Sequence, residues 1–271
     1  MKALLDGDII LYRCSASCEP TKIKPFVEEE VVAIKRAEDL VARILLETKA
    51  DDYTMYLGGS TNYRYSIYPD YKGNRKEDKP THYHALRRYL LDTYKCITTE
   101  DIETDDALCI EQYEHGDESV ICSIDKDLLQ VPGHHYNFVK SESSYISAVE
   151  GNRNFYKQLI AGDGADNIPS YDGKVRNAIP KFIQELLNPL DSLETSLDMY
   201  EHCLELYSRG WCPSSKQFIM HRNAQLLYLL RTHNDTWLPP IMNPGLTPDT
   251  TLLSLVSSEP EADDILLNTK Y

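Results

Sequence analysis

Val120-Ile121-Cys122-Ser123-Ile124-Asp125-Lys126-Asp127 is a short apolar run that ends on two acids. Such a run reads as a buried strand, and residues just past a parallel strand line the carboxyl edge, where open α/β sheets bind ligands. Ala3-Leu4-Leu5-Asp6-Gly7-Asp8 repeats the pattern near the start. Two more acidic clusters follow, Glu103-Thr104-Asp105-Asp106 and Gly162-Asp163-Gly164-Ala165-Asp166-Asn167. The clustered acids are therefore Asp6, Asp8, Glu103, Asp105, Asp106, Asp125, Asp127, Asp163 and Asp166. Gathered at one edge, they would repel one another and raise their own pKa values unless a cation neutralised them. An all-oxygen set of this kind suits Mg²⁺, or Mn²⁺ in its place, rather than zinc.

Outward from these runs, residues 3 to 170 alternate strand-like and helix-like segments. Val31, Ile34, Leu40, Val41, Ile44 and Leu45 form an apolar helical stripe, Tyr53 to Leu57 reads as a strand, and His84 to Tyr94 is helical. Asp105 to Tyr113 is a helix opening on acids, Ser119 to Ile124 and His135 to Val139 are strands, and Asn154 to Ile160 is helical. This alternation predicts a doubly wound, mainly parallel sheet. Beyond about 174 the pattern is helical, at Lys181 to Leu187, Leu193 to Tyr207 and Lys216 to Arg231, before four prolines and an acidic tail. The division expected is 1–170 catalytic, 171–235 helical and 236–271 linker and tail.

Each acidic cluster has an ordinary explanation by itself, as a helix cap or a polar turn. Four clusters at sheet-edge positions, with Lys126 as the one basic residue among them, favour a metal site. Tyr63 to Lys76 interleaves Arg64, Lys72, Arg75 and Lys76 with tyrosines, including Tyr71, a composition suited to phosphate contact and base stacking but shared with solvated loops. His82, His84, His134 and His135 lack zinc-site spacing.

Composition bounds the class. Among 271 residues, 42% are hydrophobic and 26% charged, as in ordinary globular proteins. Asp6 and Asp8 interrupt the apolar start, and no stretch reaches transmembrane length, so a cytoplasmic chain without membrane association is expected. Seven scattered cysteines without a Cys-x-x-Cys pair indicate free thiols. The net charge of −15 would argue against a nucleic-acid partner, but much of the excess lies in the four clusters and the tail.

The ordered series Asp6-Gly7, Tyr71-Lys72-Gly73-Asn74-Arg75, Glu103-Thr104-Asp105-Asp106, Ser123-Ile124-Asp125-Lys126-Asp127 and Gly162-Asp163-Gly164-Ala165-Asp166-Asn167-Ile168-Pro169 resembles the bacteriophage 5′ nucleases. These are relatives of the flap endonucleases and of the 5′ nuclease domain of bacterial DNA polymerase I. The resemblance spans residues 1 to about 235. It implies a PIN-like α/β domain with a helical arch near residues 62–90, and a monomer that cuts near free 5′ ends, flaps or nicks of DNA or of RNA:DNA hybrids. By position, Asp6, Glu103 and Asp105, with Asp106 beside them, would hold the first of two Mg²⁺ ions. Asp125, Asp127, Asp163 and Asp166 would serve the second. Lys72 and Arg75 match basic arch residues that meet the scissile phosphate or its neighbours. Replication proteins are the partners the resemblance suggests.

Two departures stand out. The family's glycine-rich hairpin turn, which carries phosphate and a monovalent cation, reads Ser170-Tyr171-Asp172-Gly173-Lys174-Val175-Arg176 here and keeps one glycine. Lys174 and Arg176 remain as direct phosphate contacts in place of that cation site. Gly59 stands where the family has another metal-associated aspartate, and Asp8 would replace it if the strand stayed extended. Two rival readings remain, a weakly active homologue that binds branched DNA and a PIN-type ribonuclease.

Overall fold

Side-chain alternation along the strands decides the layers. In β1 (Lys2–Asp6), Ala3 and Leu5 enter one apolar cluster and Leu4 another. The same parity places Val120 and Cys122 with Ala3, and Ile121 with Leu4, so both faces of the sheet are buried. The computed structural model describes residues 1–75, 78–210 and 215–242.

In chain order the elements are β1, α1 (Gly7–Ala16), α2 (Glu30–Thr48), β2 (Asp52–Leu57), α3 (Arg64–Ile67), α4 (Tyr83–Thr93) and β3 (Cys96–Thr98). There follow α5 (Thr104–His115), β4 (Ser119–Cys122), β5 (Gly133–Asn137), β6 (Glu142–Ile146), α6 (Ala148–Ala161), α7 (Lys181–Leu187), α8 (Ser196–Gly210) and α9 (Lys216–Leu227). The sheet order is β3-β2-β1-β4-β5-β6, parallel except for the β5–β6 pair. The chain winds outward from β1 in one direction and then restarts at β4 in the other. The switch point therefore lies between β1 and β4, at the ends carrying Asp6 and Asp125.

Helices α1, α2 and α4 cover one face through Ile10, Leu11, Val41, Ile44, Leu86 and Leu90. Helix α5 covers the other with Ala107 and Leu108. A third cluster joins α6, α8 and α9 through Leu159, Tyr200, Tyr207 and Met220. Met1–Trp237 form one compact unit. Of the remainder, Leu238–Met242 is described, with a single 3₁₀ turn at Pro240–Met242. The acidic tail lies outside the described residues. Among the described residues no helix is long and apolar enough to cross a membrane, and six cysteines are free.

Three local outcomes differ from the sequence pattern. The chain turns helical at Gly7, because the Asp6 carboxylate accepts from the Ile9 backbone N–H at 3.1 Å and caps α1. Among the described residues of the expected helical arch, 62–75 and 78–90, helix is confined to α3 and the start of α4. Polar Glu142–Ile146 forms an exposed antiparallel edge strand that carries no apolar alternation to reveal it.

Gly7 is required by close approach, since a Cβ there would lie 2.4 Å from the Tyr56 carbonyl oxygen. Gly7→Ala is expected to destabilise by about 1–3 kcal/mol in urea unfolding, the usual effect of overpacking.

Candidate active site

Asp6 ends β1 at 1% exposure and accepts from Ser123 Oγ at 2.5 Å. Ser123 in turn accepts from the Asp125 backbone N–H at 3.0 Å, and Asp125 Oδ1 accepts from the Asp127 N–H at 2.9 Å. This chain of bonds spans the switch point and fixes Asp6, Asp125 and Asp127 relative to one another. Burial, reinforced by Asp8 and Asp125, pushes Asp6 up to about 7. Burial with Asp125 and Asp163 nearby does the same to Asp127, which reaches about 7. Ser123 went unnoticed in the sequence, although a serine two residues before an aspartate is an ordinary turn former.

The amino end of α5 brings in the second cluster. Glu103 is its N-cap, and Asp106 closes a capping box by accepting from the Glu103 N–H at 3.0 Å. Half-buried Asp105 is raised well above the usual carboxylate range by burial, then by Asp6, Asp125 and Glu103.

Asp106 points away from this edge. It is fully buried and pairs with Arg64 through both oxygens, at 2.5 and 2.8 Å, and it accepts from the Leu230 N–H at 3.1 Å. Arg64, only 1% exposed, also donates to the Leu226 and Tyr228 carbonyls, each at 2.8 Å. Two expectations are corrected. Asp106 has no lone pair directed to a metal site, and Arg64 is a core residue that cannot reach DNA.

The fourth cluster meets the basic turn. Asp163 Oδ1 accepts from the backbone N–H groups of Ala165 and Asp166, at 2.7 and 3.2 Å, and its other oxygen from Gln158 at 3.3 Å. Residues 70–75 lie against this loop through Lys72 N–H to the Asp166 carbonyl (2.9 Å), Asn74 to the Gly164 carbonyl (2.6 Å) and Asn167 to the Asp70 carbonyl (2.8 Å). The Lys72 ammonium bonds Glu103 and lies 3.6 Å from Asp166, which also pairs with Arg75. Burial would raise Asp166, but Lys72, Arg75 and Tyr71 outweigh it and hold Asp166 below the usual range. Tyr71 is 2% exposed and donates its hydroxyl among these acids, so it cannot stack on a base, contrary to the sequence expectation. Lys76 lies outside the described residues.

The remaining candidates fall at the periphery. Asp8 sits in the first turn of α1 instead of on an extended strand, and its carboxylate accepts from Gly58 N–H (3.1 Å) and Thr104 Oγ1 (2.6 Å). It therefore ties β2 to α5 and does not replace the missing aspartate. Gly59 could not host one, because a Cβ would fall 1.9 Å from the Thr99 carbonyl oxygen. Arg87, unnoticed in the sequence, donates to the Gly58 carbonyl at 2.9 Å. In the 170–176 turn, Arg176 pairs with Asp172 at 2.6 Å and is withdrawn from phosphate, whereas Lys174 is exposed.

Electrostatically the acids form two overlapping sets. Asp105 feels Asp6, Asp125 and Glu103, whereas Asp127 feels Asp125, Asp163 and Asp166, and Asp125 is common to both. The donor chemistry and mutual repulsion fit divalent cations bound through oxygen. Among the described residues no three of these carboxylates already converge on one ligating point, and two of the acids are neutralised by Lys72 and Arg75.

The profile described as the 5′-3′ exonuclease N-terminal resolvase-like domain matches residues 2–159. The chain thus belongs to the 5′-3′ exonuclease family and is a 5′ nuclease by descent. Among solved structures, a bacteriophage T5 protein co-crystallised with metal ions superimposes with TM-score 0.58 and 17% identity, covering 84% of this chain and 89% of that one. A bacteriophage T5 flap endonuclease in a pseudo-enzyme–product complex with DNA and metal ions gives 0.56 and 16%, with the same coverages. A T5 5′-exonuclease with bound zinc gives 0.55 and 17%, again over 84% and 89%. At these identities the likeness establishes a shared PIN-like fold.

Arg64→Ala strands Asp106 in the core, and unfolding by urea should show a loss of about 3–5 kcal/mol.

Proposed function

We propose that this chain is a divalent-metal-dependent 5′ nuclease, hydrolysing phosphodiester bonds near free 5′ ends, flaps or nicks of DNA, and of RNA:DNA hybrids, during phage replication or recombination. The observation that carries this reading is the bonded array Asp6, Ser123, Asp125 and Asp127 across the switch point, with Asp105 and Asp163 close enough to perturb it. Asp6, Glu103 and Asp105 would hold one cation, and Asp125, Asp127 and Asp163, with Asp166, the other. Mg²⁺ or Mn²⁺ bound there supplies Lewis-acid activation of water and charge neutralisation at phosphorus.

The chain's own residues supply the rest. Lys72 and Arg75 present positive charge at the rim of the acids, where a phosphate next to the scissile bond would lie. Lys126, 72% exposed and 3.8 Å from Asp163, and exposed Lys174 extend that charge along the surface. Such contacts position a backbone without reading its sequence. The T5 structures with metal ions and with DNA support the cofactor, the substrate class and the phage setting.

Purified protein should release 5′ fragments from 5′-flap and nicked DNA with Mg²⁺ and none with a chelator. Asp125→Asn or Asp127→Asn should lower the single-turnover rate roughly a thousandfold, about 4 kcal/mol of transition-state stabilisation, and leave DNA affinity intact. Wild-type cleavage in chelator refutes the metal role. Binding without cleavage favours an accessory protein, and cutting confined to single-stranded RNA favours a ribonuclease.

A thermal counterpart follows from Asp6 and Asp127. An acid with a raised folded-state pKa favours folding only while protonated, so without metal their contribution is lost as pH climbs from about 4 through about 7. His135 and His221, lowered by burial, act in the opposite sense, losing stability as pH falls below their usual value. The rise in melting temperature on adding Mg²⁺ isolates the carboxylates, and it should grow between about pH 5.5 and about pH 7.5. A pH-independent rise would remove Asp6 and Asp127 from the metal site.

A further inference from the structure

We infer that Tyr71 is a positioning residue whose buried hydroxyl, set between Glu103 and Asp166, fixes the separation of those carboxylates and with it the aim of Lys72. The significance of that aim rests on the nuclease reading above, but the spacing itself can be tested without it.

The ring and the hydroxyl of Tyr71 belong to different environments. The ring is part of the apolar cluster of the helical layer, with Phe155, Leu159 and Ile160, and it meets Tyr65 edge-on at 5.8 Å. The hydroxyl emerges at the acidic edge, 2.9 Å from Glu103 Oε2 and 2.7 Å from Asp166 Oδ2. A phenol has one proton and so can donate to only one carboxylate at a time. The second acid must be held by positive charge, and the Lys72 ammonium supplies it, being bonded to Glu103 and 3.6 Å from Asp166. Tyrosine, lysine and two acids from distant parts of the chain thus close a ring.

The members of this ring differ in freedom. Lys72 is a flexible side chain at the rim and can exchange Glu103 for a phosphate. Tyr71 cannot leave, because its ring is in the core, so the two acids keep their register while the lysine moves. The backbone agrees with this division. Lys72 has φ +56°, a left-handed conformation that a lysine keeps only when its surroundings impose it, and its N–H is bonded to the Asp166 carbonyl at 2.9 Å. The acids are therefore held through the Tyr71 hydroxyl, and the lysine backbone through the Asp166 carbonyl.

The test is Tyr71→Phe, which keeps the ring and deletes the bridge. Loss of an orienting partner should weaken Mn²⁺ binding, followed by titration calorimetry, by about tenfold, and slow single-turnover flap cleavage by about ten- to hundredfold, with melting temperature and DNA affinity near wild type. At saturating Mn²⁺, where weaker metal binding no longer limits the rate, the double variant Tyr71→Phe/Lys72→Ala should cut no more slowly than Lys72→Ala alone if Tyr71 acts through Lys72. A wild-type Mn²⁺ isotherm in Tyr71→Phe, or rate losses that multiply in the double variant, overturns the inference. If wild-type protein cuts no substrate, the nuclease reading fails, and the Mn²⁺ isotherms of wild type and Tyr71→Phe still decide the role of the hydroxyl.

Discussion

The Arg64–Asp106 pair is the contact on which the acidic edge depends. Its guanidinium satisfies a carboxylate on α5 and two carbonyls near the end of α9, while the carboxylate holds the Leu230 amide and the amide of the helix cap. A buried pair of this kind contributes little net stability over an apolar substitute. Its importance is geometric, because all the partners must be present for any of them to be satisfied. Glu103 and Asp105 then project from the first turn of a helix whose start is pinned on two sides, by Asp106 from within and by Asp8 through Thr104.

Much of this was legible in the sequence, and the failures have physical causes. The strands carrying Asp6 and Asp125 were readable because a doubly covered parallel strand is apolar on both faces, so a short unbroken run announces it. The edge strand Glu142–Ile146 was not, because it is solvated and its residues carry no alternation of apolar and polar side chains. Helix α9 stops at Leu227 although apolar residues continue, since the peptide groups beyond are taken by Arg64 and Asp106.

Site residues divided along the same line. Residue type revealed which side chains could do acid or phosphate chemistry, whereas direction depended on partners far away in the chain. Asp105 and Asp106 are adjacent and chemically identical, yet a turn of about 100° between successive helical residues sends one to the edge and the other into the core. Arg64 and Tyr71 looked like surface groups for the same reason. Nothing local to Tyr63–Lys76 discloses that Asp106 and the Leu226–Tyr228 carbonyls will enclose one of them.

The span of that enclosure also bears on synthesis. Arg64 and Leu226 are separated by 162 positions, and Asp106 and Leu230 by 124. On a ribosome, the first 160 residues include every described strand of the sheet, but the carbonyls and amide that complete the junction, at residues 226–230, are made well afterwards. A nascent chain can collapse its sheet early while its catalytic geometry waits for α9 and the residues just past it, since long-range closure is the slow and late part of folding. An enzyme that cuts nucleic acid is thus kept incomplete until nearly the whole of its compact unit has left the exit tunnel.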